Sequence, residues 1–193
     1  MRLGVLGSTL LGWEVNSAGA DGPCRCCGGE LANHHCRSAS ELVTNSDCLF
    51  LSSPWDVTQS ILEGLDLGGK LLLDHTQRSS GRFDGCDDAS GAECVARWAQ
   101  GARVVKVSHT PPEPGEGSRM FVCGEDVVAK SEACEILAGL GFETVDAGPL
   151  SQSRWLERFA SLWNSRGRQP LPLGLCESCG LPFGLGQRAT TKR

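Results

Sequence analysis

The chain has 193 residues, about one domain by length, and its 40% hydrophobic and 21% charged content is ordinary for a globular protein. A net charge of −5 disfavours a polyanionic partner such as nucleic acid, and no apolar run approaches the roughly 20 residues of a membrane helix. The opening Met1-Arg2-Leu3-Gly4-Val5 lacks a signal-peptide profile, so most of the 11 cysteines are expected to be reduced thiols of a cytoplasmic protein.

Leu3 to Gly7 reads as a strand running into a glycine turn. Residues 18–37 are rich in Gly, Cys and His without periodicity and are expected to be irregular. Asp47 to Ser52 is a buried strand, followed by a helix from Trp55 to Leu65 with Val57, Ile61, Leu62 and Leu65 inward. Lys70 to Asp74 is the next strand. Ser90-Gly-Ala-Glu93 is a capping box that opens a helix to about Gln100. Arg103 to Val107 and Met120 to Cys123 are strands. A helix over Asp126 to Leu140 has Val128, Ile136, Leu137 and Leu140 inward and stops at Gly141. Glu143 to Asp146 is a short strand, and Arg154 to Asn164 a helix with Trp155, Phe159, Leu162 and Trp163 on one side. Cys48, Cys94, Cys123 and Cys134 fall inside these segments and act as small hydrophobes. Buried strands separated by helices predict an α/β, doubly wound, mostly parallel sheet in residues 1–164. Residues 165–193, with prolines among glycines, read as an irregular or disordered tail.

The chemistry-bearing residues fall at strand ends, where doubly wound sheets bind ligands. Gly7, Ser8 and Thr9 begin a phosphate-type turn in which Gly7 and Gly12 fit the glycine fingerprint and Thr9 takes the place of its middle glycine. Ser52, Ser53, Pro54 and Trp55 join a strand to a helix. Asp74, His75 and Thr76 end the following strand, and Lys106 to Thr110 the one after. Each group also has a plain reading as turn or capping chemistry. His75 and His109 are candidate proton carriers, since imidazole titrates near neutrality. Lys106 reads either as a phosphate or acceptor contact or as a strand-edge charge.

Arg2 to Ser8, Ser46-Asp47 leading into Ser53-Pro54-Trp55-Asp56, Lys70 to Asp74, Ser90 to Glu93, Gly101 to Lys106, Phe121 to Asp126 and Gly141 to Leu150 form one series. In order and spacing it resembles the NADP-dependent oxidoreductase family of the deazaflavin coenzyme, whose relatives include the reductase domain of transmembrane metalloreductases. The resemblance implies a Rossmann-like domain that binds NADP (or NAD) and passes hydride to or from a flavin- or deazaflavin-like ring or another small acceptor. It places Gly7, Ser8, Thr9, Ser52, Ser53, Pro54, Trp55, Asp74 and Thr76 at the cofactor. Gly12 to Ser17 matches the family's second strand, which leaves little room for a preceding helix. Ala18 stands where the family has an arginine for the 2′-phosphate, and Gln77-Arg78 replaces Asn-Pro.

Those departures define the alternative: a non-catalytic Rossmann-like binding module with a degenerate cofactor site. Cys24-Arg-Cys-Cys27-Gly28 and Cys176-Glu-Ser-Cys179-Gly180 are both of the turn type that presents thiolates to zinc, so that module could carry zinc. The last helix, through Trp155 and Trp163, could pair across a homodimer.

Overall fold

The computed structural model describes residues 2–7, 9–10, 13–14, 38–78, 89–110, 119–165, 173–175 and 182–184. The strands are Leu3–Gly7 (β1), Thr9–Leu10 (β2), Trp13–Glu14 (β3), Cys48–Ser52 (β4), Leu71–Asp74 (β5), Arg103–Thr110 (β6), Arg119–Cys123 (β7), Glu143–Asp146 (β8), Leu173–Leu175 (β9) and Pro182–Gly184 (β10). The α-helices are Ala39–Asn45 (α1), Trp55–Glu63 (α2), Gly91–Trp98 (α3), Val127–Gly139 (α4) and Ser153–Ser165 (α5).

One six-stranded sheet, in the order β1-β4-β5-β6-β7-β8, organises the molecule. Strands β1, β4, β5 and β6 run parallel. β7 turns back antiparallel to β6 and pairs in parallel with β8. The crossovers demanded by parallel pairing are α1, α2 and α3, with α4 joining β7 to β8. Each face of the sheet carries its own core. Val5, Phe50, Leu73, Val105 and Val122 pack with Ala129, Ala133 and Leu137 of α4. Leu6, Leu49, Leu51 and Leu72 pack on the other face with Leu42 of α1, Leu62 of α2 and Val95 of α3. Helices on both faces of a mostly parallel sheet make the fold α/β, doubly wound and Rossmann-like.

The structure moves several expected inward faces. On α4, Val128 is 62% exposed and Leu140 also faces out, while Ala129, Ala133, Ile136 and Leu137 form the buried stripe. Alanine at two of those positions lets the helix axis approach the sheet, which selects the stripe over the larger valine. On α2 the buried positions are Thr58 and Leu62, with Val57 exposed. On α5, Trp155 and Leu162 face outward and Ser153 and Glu157 face inward. Trp163 lies in α5, but its side chain is outside the described residues.

Two local arrangements depart from the expected pattern. Trp13–Glu14 pairs antiparallel with Thr9–Leu10 in a separate ribbon, instead of entering the main sheet as its second strand. Within the expected irregular tail, β9 and β10 form an antiparallel pair, with Leu175 opposite Pro182. Cys24, Cys27, Cys176 and Cys179 lie outside the described residues.

Candidate functional site

The carboxyl ends of β1, β4 and β5 meet at one end of the sheet, and the parallel register sets what stands beside what. Gly7 is level with Ser52, and Leu51 with Asp74. Gly7 has φ +137, and a Cβ there would stand 2.2 Å from the Ser52 carbonyl oxygen. Glycine therefore lets the chain leaving β1 lie directly against the end of β4. Ser8 is outside the described residues, and Thr9 is described through its backbone in β2.

β4 continues through Ser53 and Pro54 into α2. The Ser53 hydroxyl is buried and lies 2.8 Å from that of Thr58, which donates to the Pro54 carbonyl. Pro54 is the N-cap of α2 and supplies no side-chain bond to its first amides. Trp55 packs its indole against Trp98, with ring centroids 5.2 Å apart, and over Gly91. Ser53 and Trp55 are thus anchored within the domain, and the strand-tip surface of this segment is Ser52 and Pro54.

β5 ends at Asp74, from which His75 and Thr76 diverge. The His75 amide donates to the Leu51 carbonyl at 2.8 Å, and its ring stacks on Phe50 at 5.6 Å between centroids. Phe50 belongs to the α4-side core. Strand alternation puts Gly7 and Ser52 on that same side, so Gly7, Ser52 and His75 come together.

Asp74 and Thr76 go to the opposite side and are buried, at 0% and 4% exposure. The Asp74 carboxylate accepts bonds from the Thr76 amide and hydroxyl at 2.8 and 2.7 Å. The Lys106 ammonium, itself 2% exposed, donates to Asp74 at 3.2 Å and to the Thr76 carbonyl, and lies 3.6 Å from Glu157. Glu157 in turn accepts from the Gly91 and Ala92 amides at 2.7 and 2.9 Å. A carboxylate of α5 thereby caps α3, where the helix dipole favours negative charge. The set holds one cation and two anions, and the helix terminus offsets the excess negative charge. Burial pulls the Lys106 ammonium down, but Asp74 and Glu157 outweigh it and hold the group above the ordinary lysine range. Lys106 is therefore a fixed cation at neutral pH. It sits buried on an interior strand rather than on an edge of the sheet.

Beside this cluster, Ser90 and Glu93 make the expected capping box, and Arg154 grips Glu93 with two bonds of 2.8 Å. Burial pushes the Cys123 thiol, opposite Lys106 in the register, up to about 12. His109 lies in the part of β6 that runs past the end of β5, opposite Met120, and its side chain is outside the described residues. Among the described residues no His, Cys, Asp and Glu cluster could hold a metal ion.

Sequence reasoning did not single out Glu157. Its trace is the i, i+4 spacing of Ser153 and Glu157 on an amphipathic helix, which the larger aromatic stripe overshadows. Lys106, read from the sequence as a phosphate or acceptor contact or a strand-edge charge, is instead buried and paired with Asp74 of the neighbouring strand, as a buried charge has to be.

No protein-family model matches the sequence. Among solved structures, the chain resembles an F420-dependent NADP reductase from Arthrobacter sp. FB24, with a TM-score of 0.54 and 22% identity over 67% of this chain and 69% of that one. It also resembles an imine reductase from Myxococcus stipitatus in complex with NAD+, with a TM-score of 0.53 and 20% identity over 72% of this chain and 48% of that one. A third likeness is to the 3-hydroxyisobutyrate dehydrogenase of Mycobacterium tuberculosis, with a TM-score of 0.50 and 16% identity over 70% of this chain and 52% of that one. The chain spans about half the length of the last two. These likenesses are of fold.

Proposed function

We propose that the chain is an oxidoreductase that depends on a nicotinamide dinucleotide, NADP (or NAD). Its hydride partner would be a flavin- or deazaflavin-like ring or another small molecule. One observation carries the reading: Gly7, Ser52 and His75 converge where β1, β4 and β5 end side by side, the position at which doubly wound sheets bind ligands. The fold's likeness to the NADP reductase and to the NAD+ complex of the imine reductase supports it.

In this reading Gly7 keeps the backbone low enough for a ligand to lie across the strand tips, and Ser8 and Thr9, next in sequence, would contact its phosphates. Ser52 and Pro54 line the next tip, at the start of α2, whose first amides have no side-chain cap. A nicotinamide bound there would exchange the hydride with the acceptor, in either direction. His75, held by its amide and its stack on Phe50, is placed to hold or release a proton beside the acceptor. Asp74, Thr76, Ser53 and Trp55 shape the tips from within. His109 remains a second proton candidate. Loss of nicotinamide absorbance on mixing NADPH, protein and a flavin tests this reading. Turnover above the protein-free rate supports it, and none with FMN or deazaflavin contradicts a flavin-type acceptor.

A second reading is a non-catalytic module with a degenerate site. It is favoured by the ribbon of Thr9–Leu10 with Trp13–Glu14, which stands where the family's first helix would begin. Binding of dinucleotide without turnover would select it.

A further inference from the structure

The turn that presents His75 is held by residues on the opposite side of the sheet. Asp74 and Thr76 flank His75, and both are bonded to Lys106: Asp74 through its carboxylate at 3.2 Å, Thr76 through its carbonyl. Asp74 also closes the turn on Thr76 with two bonds of its own. The same ammonium faces Glu157, whose carboxylate caps α3, while the Gln77 side chain donates to the Glu157 carbonyl at 3.4 Å. Three charged groups so buried are a poor way to gain stability, because apolar residues of equal volume often serve as well or better. What such a network supplies is one fixed geometry.

We infer that Lys106 is a positioning residue for the strand-tip site, fixing the turn that carries His75 and tying it to α3 and α5. The inference rests on the reading of that crevice as the dinucleotide site. Lys106 takes no part in chemistry and meets no ligand; it acts through Asp74 and Thr76. His75 is then pinned at three places: its own amide on Leu51, its ring on Phe50, and its two chain neighbours on one ammonium.

The test uses the full-length chain with Lys106→Met and, because that variant leaves two carboxylates facing a neutral side chain, the milder Thr76→Val, which deletes one hydroxyl bond. The readout is the carbon–proton spectrum of the His75 ring, assigned with His75→Gln, together with NADPH affinity. The expected result is loss of the ring-current displacement that Phe50 imposes on His75 in both variants. NADPH affinity should fall about tenfold or more in Lys106→Met and less in Thr76→Val. If Lys106→Met does not fold, Asp74→Asn, which removes the Lys106–Asp74 ion pair and keeps an amide oxygen for Thr76, decides by the same spectrum. Wild-type His75 resonances in every folded variant overturn the inference, even if thermal stability drops. Failure of the wild-type chain to bind NADPH removes the dinucleotide reading instead, and the spectrum alone still decides whether Lys106 positions His75.

Discussion

Gly7 approaches Ser52 more closely than any side chain permits: a Cβ on Gly7 would lie 2.2 Å from the Ser52 carbonyl oxygen and 2.7 Å from the Ser53 amide nitrogen. Both obstacles are backbone at the end of β4, so neither can swing away. Gly7→Ala adds left-handed strain to this clash. We expect it to cost more than about 3 kcal/mol, read as a fall in the urea midpoint. Gly69→Ala shares the positive φ of +72 but meets nothing within 4 Å, and should cost about 1 kcal/mol. Equal losses would mean that the close approach of β1 to β4 is not what requires glycine at position 7.

Glu157→Ala leaves the Gly91 and Ala92 amides without their acceptor and Lys106 with a single carboxylate. Breaking a buried set of this kind costs about 3–5 kcal/mol. The exposed pair Arg119–Glu143, at 3.0 Å, is the control, and Arg119→Ala should cost under about 1 kcal/mol. Urea unfolding with unchanged slopes separates the two.

The bonds from Arg154, and the capping contacts of Ser90, hold the Glu93 carboxyl down at about 2 against its ordinary 4.5. A carboxyl lowered by folding adds stability above its unfolded value, and that stability is lost as pH falls towards the folded one. The wild-type chain should therefore weaken between about pH 5 and pH 2 by on the order of 2 kcal/mol from this group, after discounting for the part-exposed Arg154. Glu93→Gln should flatten that part of the curve, as followed by thermal unfolding across the range.

Burial pushes the thiols of Cys48 and Cys123 up to about 12. Thiolate is the reactive form, so neither should be alkylated at neutral pH in the folded chain, and both should react in denaturant. Peptide mapping by mass spectrometry reads each site separately. Rapid labelling of Cys123 in the folded protein would show that the cluster beside Lys106 opens.

The six strands of the main sheet and most helices were legible because run length and period reflect burial that is local to each segment. Cys48–Ser52, Leu71–Asp74 and the capping box of Ser90 and Glu93 lie where the sequence places them. α1 escaped notice because only Leu42 and Val43 of its 7 residues are buried, too few to show a period. The outward turn of Val128 and Trp155 was not legible, since which stripe faces the sheet depends on how near the helix can come. The cluster of Asp74, Lys106 and Glu157 joins β5, β6 and α5, and such pairing is a property of register and docking rather than of spacing. The convergence of Gly7 with Ser52 and His75 follows from the parallel order of β1, β4 and β5, which strand-end reasoning anticipates.

The central claim is that the tips of β1, β4 and β5 bind a nicotinamide dinucleotide. Titration of the full-length chain with NADPH, followed by calorimetry and by backbone amide resonances, tests it directly. The account predicts saturable binding in the micromolar range usual for enzyme ligands, with the largest resonance changes at Gly7, Ser52 and His75. Absence of heat and of resonance changes at millimolar NADPH, or changes centred away from those residues, would contradict it.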